Sequence, residues 1–433
     1  MALDLSNLPP EEPEPDDPPS KFVWTIVFFV LTIAGIFTVL TVWPSNEPAQ
    51  TPWFWICVGL YPGGIAAFIV SRRFSMYEGG RLDVQAWNAA CKRHREEAFA
   101  RESIPMFVLG MAIRVTDEAT PQLLENIETE KLSLGASASD FTQDASITAR
   151  WLQPVQALLA VDDEERHDLL LAWVFESLLG ELTERLNSLP EVFPLRIVLD
   201  VSGFLGETDV TRVWAASWAQ HGLRRAEATI ASAPIDLMTI DRWLDDAEGP
   251  LHRYAVLLVS VSLQGMLDQP PADGAAEAGV GLLLSSQALA EQHRLIPDAK
   301  VHRPLHSASR NLDHALTYAL RWANANPASL DSVWMTGLDG ESVGPLHASL
   351  SHVGVRTEEQ EPLAEFDLDR VIGRAGRSAG WLAVACSVDR ANRSGVPQLV
   401  VQKWGECAYV AVAQTSHNES NNKISLHDSE IQA

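Results

Sequence analysis

The sequence predicts an α/β protein: a layered α/β domain preceded by an N-terminal transmembrane helical hairpin. Three observations lead there. Two long runs near the N-terminus are apolar and free of charge. Beyond residue 103 short apolar runs alternate with amphipathic helical stretches, as strands and helices stacked in layers require. A chain of 433 residues with 46% hydrophobic content also suffices for a sizeable packed core.

Residues 1–20, MALDLSNLPPEEPEPDDPPS, mix Pro with Asp and Glu and hold little sizeable apolar content beyond three leucines. That is too little to offset chain entropy, so the segment is expected to be disordered. Residues 21–74 read as two membrane helices. The run FVWTIVFFVLTIAGIFTVLTVW, 22–43, is uncharged and long enough to cross a hydrocarbon core of roughly 30 Å. The run WFWICVGLYPGGIAAFIV, 53–70, is shorter and interrupted by Pro62, Gly63 and Gly64, yet also uncharged, and pairing the two makes a hairpin. A secretory signal peptide is the competing reading of the first run. It fits poorly, because the preceding segment is acidic and no small-residue cleavage site follows.

The linker PSNEPAQTP has no Lys or Arg, whereas Arg72, Arg73, Arg81, Lys92, Arg93 and Arg95 follow the second run. The positive-inside rule therefore places the N-terminus and the large C-terminal domain in the cytoplasm, with Trp24, Trp43, Trp53 and Trp55 as interfacial anchors. Residues 75–103 read as a juxtamembrane basic helix. Two roles stand open for it: laying Lys and Arg along anionic headgroups, or serving as a solvated connector.

Residues 104–415 form the α/β domain. IPMFVLGMAIRV (104–115) is a strand, and the long stretch from Pro154 to Leu189 holds an amphipathic helix. Asp162, Asp163, Glu164 and Glu165 open that helix, a placement its dipole favours over acid–base work. FPLRIVLDVSG (193–203) is a buried strand, and TRVWAASWAQHGLRRAEATIAS is read as helical throughout. RYAVLLVSVSL is a strand, AGVGLLLSSQALAEQ a strand running into a helix, and LDHALTYALRWANAN a helix. LDSVWMTGLDG is a strand ending in a Gly-rich turn, and PQLVVQKWGECAYVAVAQ a hairpin-like pair. The Asn- and Ser-rich tail, 416–433, is expected to be flexible.

A net charge of −25 argues against nucleic-acid binding, which needs a basic face. Cys57, Cys91, Cys386 and Cys407 lie far apart without a CxxC pair, so neither a zinc site nor a redox motif is indicated. Of His293, His302, His306 and His314, the pair His302 and His306 could share a helix face, but Pro304 between them argues against a helix, and no third ligand is apparent. Trp173, Trp214, Trp218 and Trp243 are assigned to core rather than to a ligand cage. Walker, GxSxG, HExxH and dinucleotide motifs are absent, and no cofactor is implied.

Four stretches, in order, resemble the thiolase-like fold of β-ketoacyl synthases. MFVLGMAIRVTDEATPQLLENI (106–127) is similar to their opening strand and first helix, and GAAEAGVGLLLSSQALAEQHRLIPDAKVHRP (274–304) to their glycine-bearing strand, short helix and edge strand. LDHALTYALRWANANPASLDSVWMTGLDGES (312–342) resembles the helix, strand and turn that carry the first catalytic histidine, and VIGRAGRSAGWLAVA (371–385) the turn that carries the second. The resemblance implies two related halves packed as five layers. It puts Thr336 and Arg374 at the positions of the two histidines, and an always-charged guanidinium replaces a neutral imidazole poorly. No cysteine lies between Cys91 and Cys386, where the nucleophile would fall. The expectation is a chain that is not an enzyme.

An anchored domain of this kind resembles the bacterial type VI secretion lipase-adaptor family. That resemblance implies a non-catalytic adaptor at the bacterial inner membrane, with a phospholipase effector and a secretion spike protein as partners. Thiolase-like domains are commonly two-fold dimers, a contact this chain has either kept or lost. Two alternatives stand beside the adaptor: an acyl-thioester-handling enzyme with an unrecognised nucleophile such as Ser202, and an acyl-chain-binding protein.

Overall fold

The computed structural model describes residues 9–13, 18–44, 47–129, 131–138, 146–246, 248–355 and 363–416. Most of the tail expected to be flexible, 417–433, lies outside them, as do 1–8 and 14–17 of the acidic segment. The chain divides into two compact units, Leu3–Ala100 and Arg101–Ala433.

In the first unit, α1 (Lys21–Val42) starts at Ser20, whose hydroxyl accepts from the Val23 N–H. A short helix α2 (Pro52–Trp55) passes through one π-helical turn, Ile56–Leu60, into α3 (Tyr61–Glu102). The interruption expected at Pro62–Gly64 is not a break. The wider turn directly ahead of Pro62 accommodates a residue that can neither donate a backbone hydrogen bond nor tolerate a close carbonyl one turn back. The second apolar run and the helix expected over 75–103 are therefore one continuous helix. Both α1 and the helix over 52–101 are long and apolar enough to cross a membrane. They approach closely at Gly35, where an added Cβ would sit 2.7 Å from the Pro62 Cβ. Part of the segment expected to be disordered is ordered: Pro10 to Glu12 are hydrogen-bonded to α3.

The second unit opens with β1 (Met106–Arg114), α4 (Thr120–Glu128), and the small pair β2 (Ala136–Ala138) and β3 (Ser146–Thr148). Next come α5 (Asp163–Ser188), β4 (Leu195–Ser202), α6 (Glu207–Gln220), β5 (Glu227–Ile230), α7 (Met238–Asp245), α8 (Pro250–Arg253), β6 (Ala255–Ser262) and β7 (Ala278–Ser286). The remainder is α9 (Gln287–Gln292), β8 (Ala299–Val301), β9 (Leu305–Ala308), α10 (Asp313–Trp322), β10 (Ser332–Thr336) and α11 (Gly340–Val353), then β11 (Ala364–Asp367), α12 (Leu368–Val371), α13 (Ala379–Ser394), β12 (Gln398–Trp404) and β13 (Cys407–Thr415). One expectation is corrected here: the stretch read as helical through residue 232 stops at Gln220. Gly222, at φ +61°, turns the chain out of the helix, and Glu227–Ile230 then pairs in parallel with Arg196–Leu199 of β4.

The large sheet runs β11-β10-β12-β13-β8-β1-β7-β6-β4-β5, with β9 also paired to β13. Counted within each half, both β5-β4-β6-β7-β1 and β11-β10-β12-β13-β8 follow the order 3-2-4-5-1. In both, the fifth strand is the antiparallel one. The halves join where β8 pairs with β1.

Strand β6 shows how the layers form. Val256 and Leu258 belong to one core cluster and Ala255, Leu257, Val259 and Val261 to the other, as period-2 alternation requires. The first cluster holds α13, which is buried from Gly380 to Val388 and packs on strands of both halves. A helix apolar on every side can only lie inside. The second cluster sits under α5 and α6, while α10, with α11 beside it, covers β13 and β9. Helices, half-sheet, α13, half-sheet and helices make five layers.

Candidate functional site

Parallel strands end together: β4, β5 and β6 at Ser202, Ile230 and Ser262, and β10, β11 and β12 at Thr336, Asp367 and Trp404. The carboxyl ends of parallel strands are where α/β sheets hold ligands. A segment in which Gly, Ala and Ser surround two arginines, Gly373 to Ser378, crosses the first set of ends. Ser378 shares a hydrogen bond with Ser260 (3.1 Å), both fully buried. Gly376 (φ +54°) lies so close that a Cβ there would meet the Ser262 Oγ at 2.5 Å. The Arg377 Nη1 donates to Asp200 Oδ1 (3.1 Å), and the Ile235 N–H donates to Asp200 Oδ2 (3.1 Å). Small residues are needed here because backbone must lie directly on strand ends. Burial pushes the Asp200 carboxyl above its ordinary range, against the Ile235 N–H and the Arg377 guanidinium.

The second cluster forms around Asp369. The Thr336 hydroxyl donates to its Oδ1 (2.7 Å) and the Gly337 N–H to its Oδ2 (2.8 Å). Burial raises this carboxyl too; the two hydrogen bonds and the Arg374 charge oppose the shift, and Asp367 adds to it. Arg374 is exposed and anchored by its backbone, its N–H donating to the Gly274 carbonyl (2.7 Å) and its carbonyl accepting from the Ala276 N–H (3.0 Å). Its guanidinium donates to the Asp273 carbonyl. The structure thus puts Thr336 on the Asp369 carboxylate, whereas Arg374 reaches it only through its charge, its hydrogen bonds going to the Gly274–Ala276 segment and to the Asp273 carbonyl.

Ser202 lies at the end of β4, its hydroxyl 3.2 Å from that of Ser262. His167, beside Gly203, has both ring nitrogens engaged: Nδ1 accepts from the Phe204 N–H (3.0 Å) and Nε2 faces the Gln264 carbonyl (2.9 Å). It holds the loop rather than a serine proton. Cys386 lies wholly buried in the core, where burial drives its thiol far up and keeps it protonated. The chemistry on offer is two carboxyls raised by burial, a serine pair and two guanidiniums. Such groups can bind a carbonyl and exchange a proton with it.

His302 and His306 sit at β8 and β9, not on a helix, and the His302 Nε2 meets Gln414 Oε1 (3.0 Å). Among the described residues no group of three potential ligands could hold a metal. Trp214 and Trp218 are buried in the cluster under α5 and α6, Trp173 packs against that cluster, and Trp243 packs against the cluster that holds α13. Sequence reasoning missed Asp200, Asp369 and Ser262. Asp200 did leave a signal, as a carboxylate inside the apolar run LRIVLDVS. A separate cleft of about 470 Å³ between β1, α5 and α13 is lined by Thr120, Glu181, Arg185, Asp298 and Asp389, away from these strand ends.

No protein-family model matches the chain, and no curated protein sequence does either. Solved structures do. The ketosynthase from module 1 of the bacillaene synthase of Bacillus amyloliquefaciens FZB42 matches with a TM-score of 0.51 at 10% identity, over 74% of this chain and 74% of that one. The ishigamide ketosynthase/chain length factor matches with a TM-score of 0.50 at 14% identity, over 72% and 99%. A ketosynthase from module 6 of the bacillaene synthase of Bacillus subtilis 168 matches with a TM-score of 0.50 at 12% identity, over 72% and 71%. The expectation of a chain that is not an enzyme is corrected by these matches, because the structures that share its fold are ketosynthases. At such identities the likeness is one of architecture. With its repeated 3-2-4-5-1 halves and buried central helix, the α/β domain has the thiolase-like fold of the ketosynthases.

Proposed function

We propose that the chain is a membrane-held, acyl-handling enzyme whose thiolase-like domain takes an acyl group at the strand ends around Asp200 and Asp369. The observation carrying this reading is the Gly373–Ser378 crossing, which starts beside Asp369 of one half and ends on Asp200, Ser260 and Ser262 of the other. On this reading Thr336 and Arg374 stand where ketosynthases keep their two histidines, and the carbonyl is held by other groups. Asp369, partly exposed at the strand ends and raised by burial, is the side chain assigned to share a proton with an acyl carbonyl. The test uses the full chain in detergent with acyl-thioesters of several lengths, reading thiol release, covalent adducts and bound acyl groups by mass spectrometry. Binding or turnover is expected, reduced about tenfold or more by Asp369→Asn, the lower end of what a positioned acid–base group contributes. A chain that neither binds nor consumes any acyl-thioester overturns the reading.

The apolar hairpin favours a second reading with the same fold. Residues 21–74 anchor the chain in the bacterial inner membrane, both ends are cytoplasmic, and the domain of residues 104–415 brings a phospholipase effector to the type VI secretion spike. Two membrane-length helices ahead of a thiolase-like domain support it. Purification from the native host is expected to recover the lipase or the spike protein, and recovery of neither ends this reading.

A further inference from the structure

Beyond its apolar stretch, α3 is mostly exposed, but Trp87, Asn88, Cys91 and Arg95 fall on one face at helical spacing. Residues Pro10 to Glu12 lie against that face. The Asn88 amide donates to the Glu12 carbonyl (2.9 Å) and its oxygen accepts from the Glu12 N–H (2.8 Å), the pair of bonds a neighbouring strand would give. The Trp87 indole N–H donates to the Pro10 carbonyl (3.3 Å), and the Cys91 Sγ lies 4.0 Å from the same oxygen. The Arg95 Nη1 meets Glu11 Oε1 at 3.2 Å. Three successive residues are thus read through a carbonyl, a carboxylate and both backbone polar groups of one residue. Cys91 is left 6% exposed.

We propose that this face of α3 is a recognition site for an extended, acidic segment led by proline, and that its occupant is the chain's own Pro10–Glu12. Pro9 and Pro10 hold the segment extended before it docks, so little conformational entropy is lost on binding. Glu11 matches the one guanidinium on the face. The contact fastens the N-terminal segment beside α3, on the side of the hairpin from which α3 emerges.

Alkylation of Cys91 in the full-length protein, followed peptide by peptide with mass spectrometry, tests the site, because the segment covers that thiol. Asn88→Ala removes both bonds to the Glu12 backbone and is expected to raise the Cys91 rate about tenfold. Glu11→Arg and Arg95→Glu break an exposed ion pair and are each expected to raise it about threefold, and the double variant that swaps the two charges is expected to restore the slow rate. The swap separates recognition from misfolding, since a chain disordered by either single change would not recover. Wild-type rates in Asn88→Ala or in either charge variant, or a double variant as fast as Arg95→Glu alone, would overturn the assignment.

Discussion

Asp163, at the first turn of α5, is a carboxylate whose surroundings set both its charge and its contribution to stability. It is 1% exposed, and its oxygens accept the N–H groups of Met266 (2.7 Å), Leu267 (3.0 Å) and Asp268 (3.0 Å). Burial alone would push it up, but the three donors, with a smaller contribution from His167, outweigh burial and hold it below its ordinary value. A carboxylate depressed in the folded state adds stability that is complete above the unfolded value near 4 and is lost as pH falls through the folded one. Asp163→Asn keeps the size but removes an acceptor, and is expected to cost about 2 kcal/mol at neutral pH in chemical denaturation. The gap between wild type and variant should begin to narrow as pH drops below about 4, where the unfolded chain takes up the proton, and close once pH has fallen through the lower folded value, where the native carboxyl is neutral too. A gap that stays constant with pH would assign Asp163 a packing role instead.

At the scale of elements, the turn after β10 shows how tightly the strand ends are joined. Gly337 has φ +72°, and a Cβ there would lie 2.3 Å from the Lys403 carbonyl on β12, a backbone atom that cannot move aside. Gly337→Ala is therefore expected to destabilise the domain by about 2–4 kcal/mol and to disturb Thr336 and Asp369 beside it, visible as a lowered unfolding midpoint. That turn was legible in the sequence as LDSVWMTGLDG, and so were the long apolar strands and the amphipathic α5, because burial on one or both faces writes a period into the residues. β5 was not legible. Four residues on a parallel edge, exposed at Glu227 and half-buried at the other three, carry too short a pattern to announce themselves. Helix continuity through Pro62 was hidden for a different reason: the compensation is a backbone π turn, which no side chain encodes. At the site, Thr336 and Arg374 were found through their local runs. Asp369 was not, because its meaning comes from a neighbour 33 residues away and from burial.

For the whole molecule, the two halves share a strand order without sharing a readable sequence period, so the repeat emerges only when the strands are placed side by side. The same placement gives the Arg101–Ala433 unit its own complete core, with both clusters drawn from within it. The large exposed apolar residues divide differently. Phe22, Phe29, Ile33, Phe37, Leu60, Ile65 and Phe68 lie on the two membrane-length helices, an apolar surface that water does not tolerate. Among the described residues of the larger unit, the concentrated exposure is Val155, Leu158, Leu159 and Val161, one short stretch ahead of α5. A chain beginning at residue 101 should therefore remain in the supernatant without detergent and unfold in one cooperative transition, whereas the full chain should sediment with membranes until detergent is added. Fractionation followed by thermal denaturation checks both halves of this expectation. Aggregation of the 101–433 chain, or unfolding without a cooperative transition, would mean that its core depends on the helices ahead of it.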